Sequence, residues 1–293
     1  MDVCNFWWQA PAGGGGAGCG GRPGERPSYL IDHSLRFRKG AGLAWTPSAS
    51  GNRKTWTFSA WVKQGKLERH GLFVGEQSPG KHMTWMQIDS DHFELHSRSG
   101  GTSAPRGQQW TSRLFRDPSA WYHFVIAYDS TQATGSERVK IYVNGERASL
   151  QMDNASPQNY DSYITANNVH RLGTYWGTPY DFDGHMAEVH LVDAQALDPT
   201  AFGEFNNNDV WRPKAFTGAH GTNGFYLDFS DPANIGADRS GNGNNFTATG
   251  FELTTTTSAN YDWVSDSPTD NYPTWNPLDN RFSGNTLERA NLV

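Results

Sequence analysis

Apolar and polar residues alternate with a period of two along much of the chain between Ser28 and Phe202. In Lys54–Val62 (KTWTFSAWV), Trp56, Phe58 and Ala60 fall on one face, and Thr55, Thr57, Ser59 and Trp61 on the other, as in a strand with one buried face. In Trp121–Tyr128, Tyr122, Phe124, Ile126 and Tyr128 share one face, and Trp121, His123, Val125 and Ala127 the other; both are largely apolar, which predicts a strand deep in a sheet. Val139, Ile141 and Val143 then alternate with Lys140, Tyr142 and Asn144, a half-exposed partner. Asn144-Gly145 ends it with the residue pair that a type I′ turn requires.

Shorter strands are predicted at 34–37, 72–74, 84–88, 93–96 and 170–172. Asp89-Ser90-Asp91 makes a turn between 84–88 and 93–96. In Met186–Val192 a regular alternation sets Met186, Glu188, His190 and Val192 against Ala187, Val189 and Leu191. Only Asp198–Phe202 reads as a brief helical turn. Many short strands, frequent turn residues and almost no 3.6-residue period predict an all-β protein, a two-sheet antiparallel jelly-roll sandwich.

The flanks differ. Residues 1–27 form a Gly-rich N-terminal arm that cannot pack a core. Phe6, Trp7 and Trp8 in this arm either fold back on their own domain or anchor it in a partner, and the residues leave both readings open. The sandwich itself is expected over 28–203. Residues 204–293 are turn-rich, with strands at 225–229 and 246–253, and read as a C-terminal β/coil extension lying on another surface or on a neighbouring subunit.

Composition agrees with a β protein: charged residues are 18% of the chain, against about 25% in an average domain. The net charge of −6, without a Lys/Arg run, argues against binding to nucleic acid or to anionic membranes. No apolar run reaches the roughly 20 residues needed to cross a bilayer as a helix, and MDVCNFWWQAPAGGGGAGCGG lacks the basic start and apolar centre of a secretory signal. Cys4 and Cys19 are too few for a disulfide framework or a Cys-based zinc site, and are expected as reduced thiols.

Trp121–Val125 (WYHFV) followed by Ile141–Gly145 (IYVNG), together with 183–189 (DGHMAEV), resembles concanavalin A-like jelly rolls of the laminin G and pentraxin type. More narrowly, SLRF (34–37), GNRKTWTFSAWVK (51–63), the run 182–205, HGTNGFYLDF (220–229), DRSGNGNNFTATGF (238–251) and DSPTDNY (266–272) resemble, in this order, segments of bacteriophage virion and tail-fibre-type proteins. The resemblance implies a virion location, other virion proteins and a host-surface glycan as partners, and a symmetric homo-oligomer, with a trimer preferred.

Chemistry is sparse. Asp89-Ser90-Asp91-His92-Phe93-Glu94 is the nearest approach to the paired carboxylates of a glucanase, but its turn would scatter them. Glu188 is expected as a structural acceptor for backbone N–H groups or an Arg, and His123 as a satisfied core histidine. No metalloprotease, P-loop or Ser/His/Asp pattern is present, so no catalytic residue is assigned. Asp238, Ser240, Asn242 and Asn244 place oxygens at alternate positions, as a Ca²⁺ loop would, but the closing bidentate Glu is missing; a plain turn is expected, and neither a metal nor another cofactor is assigned. The best ligand candidate is 173–184 (GTYWGTPYDFDG). There Tyr175, Trp176 and Tyr180 could stack on sugar faces while Asp181 and Asp183 accept hydroxyl hydrogen bonds; the alternative is that Trp176 and Tyr180 cover the sandwich end or an interface. Three functions follow: a non-enzymatic glycan-binding virion protein, a purely architectural capsid or tail protein, and a glycan depolymerase.

Overall fold

A computed structural model describes residues 29–78, 80–100, 106–174, 180–253 and 262–271. Phe6, Trp7, Trp8, Tyr175 and Trp176 lie outside these residues. Two antiparallel sheets face each other, each of eight strands among the described residues. In the first, the order is Glu146–Arg147, Val139–Val143, Tyr122–Asp129, Thr55–Gln64, Gly184–Asp193, Ser34–Phe37 and Trp263–Val264, with Phe225–Leu227 also pairing with Gly184–Asp193. In the second it is Leu150–Asn154, Gly107–Thr111, His92–Arg98, His82–Asp89, His70–Ser78, Val169–Leu172, Gly42–Trp45 and Thr247–Thr249. This is the jelly-roll sandwich that the alternation predicts.

The inward faces are those expected. Trp56, Phe58, Ala60 and Val62 meet Tyr122, Phe124, Ile126 and Tyr128 in one core cluster. Across the sandwich Phe58 stacks on Phe73 at 5.1 Å and Phe93 on Phe124 at 4.3 Å. Tyr122–Asp129 pairs with Thr55–Gln64 and Val139–Val143, and both its faces are covered: Tyr122, Phe124, Ile126 and Tyr128 by the main core, Val125 by Val192 and Phe202. The turns at Ser90-Asp91 (φ 50° and 67°) and Asn144-Gly145 (φ 49° and 83°) have the paired positive φ of type I′ geometry. A four-residue helix, Gly135–Arg138, interrupts the polar loop before Val139. The helical turn expected at 198–202 is the 3₁₀ turn Pro199–Ala201, capped by the Asp198 side chain.

The regular alternation expected for Met186–Val192 is corrected by the structure. A β-bulge lies between Ala187 and His190 in the pairing with Thr55–Gln64, and Glu188 has φ 50°. The extra residue reverses the faces beyond it. Met186, Val189 and Leu191 point into the core, whereas Ala187, Glu188, His190 and Val192 lie on the outer face. The same strand thereby changes neighbours along one flank, pairing with Ser34–Phe37 before the bulge and with Phe225–Leu227 after it.

The described part of the region beyond 203 is built into the sandwich. Besides its strands in both sheets, it supplies Phe225, Leu227, Phe229, Ile235 and Phe246 to the main core. The outer face of the first sheet is in turn covered by Tyr29–Ile31, by the hairpin of Gly203–Phe205 and Trp211–Pro213, and by residues 262–271. The cations buried on that face find partners there: Arg36 donates to Asp262 (2.7 Å) and Lys63 to Asp266 (2.8 Å).

Phe225→Ala is expected to lower the unfolding free energy by about 3–5 kcal/mol in urea while leaving one cooperative transition, since it empties a site shared by both sheets. Loss below about 1 kcal/mol would place the C-terminal strands outside the cooperative unit. Burial also holds four imidazoles neutral, lowering His123 and His185 to about 3 and His170 and His220 to about 4. Unfolded imidazole titrates near about 6.5, so between these values the unfolded chain binds more protons and stability falls as pH falls. The calorimetric midpoint should be level above about pH 7 and drop steadily from about pH 6.5 to about pH 4. A midpoint that rises over that interval would contradict the burial of these rings.

Candidate ligand-binding pocket

The expected sugar platform is divided. Tyr180 packs against Val74, Met83 and Trp85 on the outer face of the second sheet, with the Arg69 guanidinium 4.5 Å over its ring. Asp181 commits both oxygens inside the fold, accepting from Thr174 Oγ1 (2.9 Å) and from the Gly40 N–H (2.8 Å). Asp183 is buried with one oxygen 3.4 Å from Lys66 Nζ, and its Oδ1 has no partner. Tyr175 and Trp176 fall outside the described residues, so the described part of this segment shows a ring covering an apolar strip and two inward carboxylates.

The carboxylates of 89–94 are bound to different partners. Asp89 pairs with Arg69, Asp91 with Arg116, and Glu94 accepts from Gln87 and contacts His96 Nε2 at 2.8 Å. Glu188 is a structural acceptor, as expected, but its donors among the described residues are the phenols of Tyr29 (2.8 Å) and Tyr226 (2.8 Å) in place of backbone or Arg groups. Burial first, and then this carboxylate, push both phenols well above the usual tyrosine range. Asp238 accepts from the N–H groups of Tyr226, Ser240 and Asn244, and the amides of Asn242 and Asn244 tie the loop to carbonyls at 221–224. The loop is thus filled by its own donors.

His123 bonds with Ser59 at 2.8 Å, but this pair is not an activated nucleophile. Trp211 Nε1 can only donate, and it donates to His123 Nδ1 (3.0 Å). The neutral ring therefore carries its proton on Nε2 and donates to Ser59, the reverse of what a general base does. His123 is a buried pillar, as expected. It stacks on Trp61 at 4.7 Å and on Trp211 at 5.9 Å.

On top of this pillar lies a pocket of about 550 Å³. Trp61, Trp121 and Trp211 line it, and Phe205 and Val210, 47% and 56% exposed, form the apolar rim. Asn144, Glu146, Asp209 and Asn271 complete it with polar groups. The Asn144-Gly145 turn builds one wall as well as reversing the chain. Asn144 Oδ1 accepts the His123 N–H (2.8 Å), and Trp211 lies so close over Gly145 that a Cβ there would sit 2.3 Å from its ring. Gly203 gives Trp211 the same room on its own hairpin. At the hairpin tip, Asn206 Oδ1 accepts from the N–H groups of Asn208 and Val210 and holds Val210 at the rim. The opposite wall is latched from behind: Trp121 Nε1 donates to Asp266, Lys63 pairs with Asp266 and also donates to Asn271, and the Asn271 amide donates to the Ser119 carbonyl.

A concave site with aromatic walls and a few fixed polar groups can bind a small amphipathic ligand. Sequence reading missed it because its residues come from five separate segments. The one local signal was Trp121 and Asn144-Gly145, which read as frame.

Residues 38–201 match the family model described as the concanavalin A-like lectin/glucanases superfamily, and the chain belongs to this family. Among solved structures it is similar to a Bacteroides ovatus protein provisionally described as carbohydrate binding, with 19% identity and a TM-score of 0.48, over 75% of this chain and 58% of that one. It is also similar to the heptameric SAP-like pentraxin of Limulus polyphemus (17% identity, 57% of this chain, 78% of that chain, TM-score 0.41). A third is the Ruminococcus gnavus sialidase CBM40 bound to α2,3-sialyllactose (15% identity, 52% of this chain, 90% of that chain, TM-score 0.35). The chain thus spans 58% of the length of the Bacteroides protein. A search of curated proteins gives no match.

Gly145→Ala and Gly40→Ala separate strain from packing in this wall. Both glycines have φ 83°, but nothing lies within 4 Å of a Cβ at Gly40. Gly40→Ala should cost about 1 kcal/mol, and Gly145→Ala about 1–3 kcal/mol more as Trp211 is displaced, measured by urea unfolding. Equal costs would mean that Trp211 is not seated on the turn.

Proposed function

We propose that this protein is a non-catalytic glycan-binding component of a bacteriophage virion, displayed for attachment to a host surface, with the pocket over His123 as its sugar site. The observation that carries the binding half is the pocket's composition. The indoles, Phe205 and Val210 suit the apolar C–H face of a sugar ring, and Asn144, Glu146 and Asp209 offer polar groups to its hydroxyls. Membership of a lectin and glucanase family agrees with this reading. The separated carboxylates of 89–94 and the reversed Ser59–His123 bond favour binding over bond cleavage. The virion half is supported by the ordered segments from 34 to 272 that resemble phage virion and tail-fibre-type proteins. A homo-oligomer, with a trimer preferred, would multiply a shallow site by avidity.

A purely architectural role is favoured by one observation, the exposed Phe205 and Val210 side by side on a hairpin, which also suit a protein interface. A glycan array probed with the full chain separates the two. Glycan binding predicts array hits, weakened about three- to tenfold by Phe205→Ala, which removes a 47% exposed ring that meets Trp211 edge to face. A silent array, with a Phe205-dependent change of oligomeric state in sedimentation, would replace the glycan reading by the architectural one. Host polysaccharide incubated with the protein should release no reducing ends.

A further inference from the structure

The charges and hydrogen-bond donors of this pocket are unevenly spent, and that imbalance selects among sugars. Among the described residues its charged lining is Glu146 and Asp209, with no Lys, Arg or His. The two carboxylates come from different segments, the strand after the Asn144-Gly145 turn and the tip of the 203–213 hairpin, and neither forms an ion pair among the described residues. Arg147, next to Glu146, is committed to Glu137. Several donors at the walls are already used, Trp121 Nε1 by Asp266, Trp211 Nε1 by His123 and the Asn271 amide by the Ser119 carbonyl, which leaves the Trp61 indole and the Asn144 amide. Lys63, behind the wall, is neutralised by Asp266 at 2.8 Å.

An anionic sugar entering this pocket meets two like charges and few donors, whereas a protonated amine meets two carboxylates in a concavity whose apolar walls focus their field. Accepting the pocket as a sugar site, we infer that it selects glycans carrying a free, protonated amine, such as 2-amino-2-deoxyhexose units, over their N-acetylated forms, and excludes uronic, sialylated and sulfated glycans. The amine lies against Glu146 and Asp209, and the ring rests on Phe205 and the indoles.

Isothermal titration of the full chain at about pH 6, where a primary amine is protonated, compares three probes: a glucosamine oligomer, its N-acetylated counterpart and a uronic acid oligomer. The expected result is at least about fivefold tighter binding of the free amine than of the N-acetylated form, and no measurable uronate binding. The preference should shrink at about 0.5 M salt. In the double variant Glu146→Gln with Asp209→Asn, both exposed positions, the ratio of the two affinities should fall to about one. Equal affinity for the free and acetylated sugars in the native protein would overturn the inference and leave the glycan reading standing. A preference that survives in the double variant would also overturn it. Binding of none of the three would overturn the inference and leave the glycan reading to the array.

Discussion

The first sheet buries both of its faces, and much of the rest of the structure follows from that constraint. Its inner face is satisfied by apolar contact with the second sheet. Its outer face carries Arg36, Lys63, His123, His185, Glu188 and His190, all at or below 7% exposure. A buried charge is tolerated only when paired and hydrogen-bonded. The covering segments therefore do more than exclude water, since they deliver the partners: Asp262 to Arg36, Asp266 to Lys63, the Trp211 indole to His123 and the Tyr29 phenol to Glu188. Such pairs add little net stability over an apolar layer, but a misplaced cover would leave an uncompensated charge, so they fix where each segment lies.

The pocket is a consequence of this covering. It opens where the 203–213 hairpin and residues 262–271 approach each other over Trp61 and Trp121 without meeting. Because Lys63, Asp266, Asn271 and Ser119 are linked in one hydrogen-bonded chain, and Trp211 is held between His123 and two glycines, both walls are positioned before any ligand arrives. Preorganisation of this kind lowers the entropic cost of binding, which matters for a site that offers few direct contacts.

The sandwich and the pocket also differ in how they bear on activity. A concanavalin A-like fold hosts binding and hydrolytic proteins alike, so the fold alone does not decide between them. Individual groups bear on it. The proton on His123 is directed toward Ser59 because an indole occupies the other nitrogen, and the acids of the 89–94 turn are each drawn to a separate partner, Arg69, Arg116 or Gln87.

The sequence by itself determined which way most strand residues face. Trp56, Phe58, Ala60, Tyr122, Phe124, Ile126 and Tyr128 reach the core as their alternation requires, and Asn144-Gly145 turns the chain as its positive φ preference requires. These are legible because period-two alternation and turn chemistry are local, set within a few residues. What only the tertiary structure decided is of longer range. The bulge at Glu188 inserts one residue and inverts every face beyond it, so a regular reading of Met186–Val192 had to fail there. The return of Phe225–Leu227, Thr247–Thr249 and Trp263–Val264 into the two sheets, the burial of Asp181, and the meeting of Trp61, Trp121, Phe205 and Trp211 around one cavity depend on contacts between residues a hundred and more positions apart. No local pattern encodes which segment will cover a given face, because that choice is made by the partners the buried polar groups require.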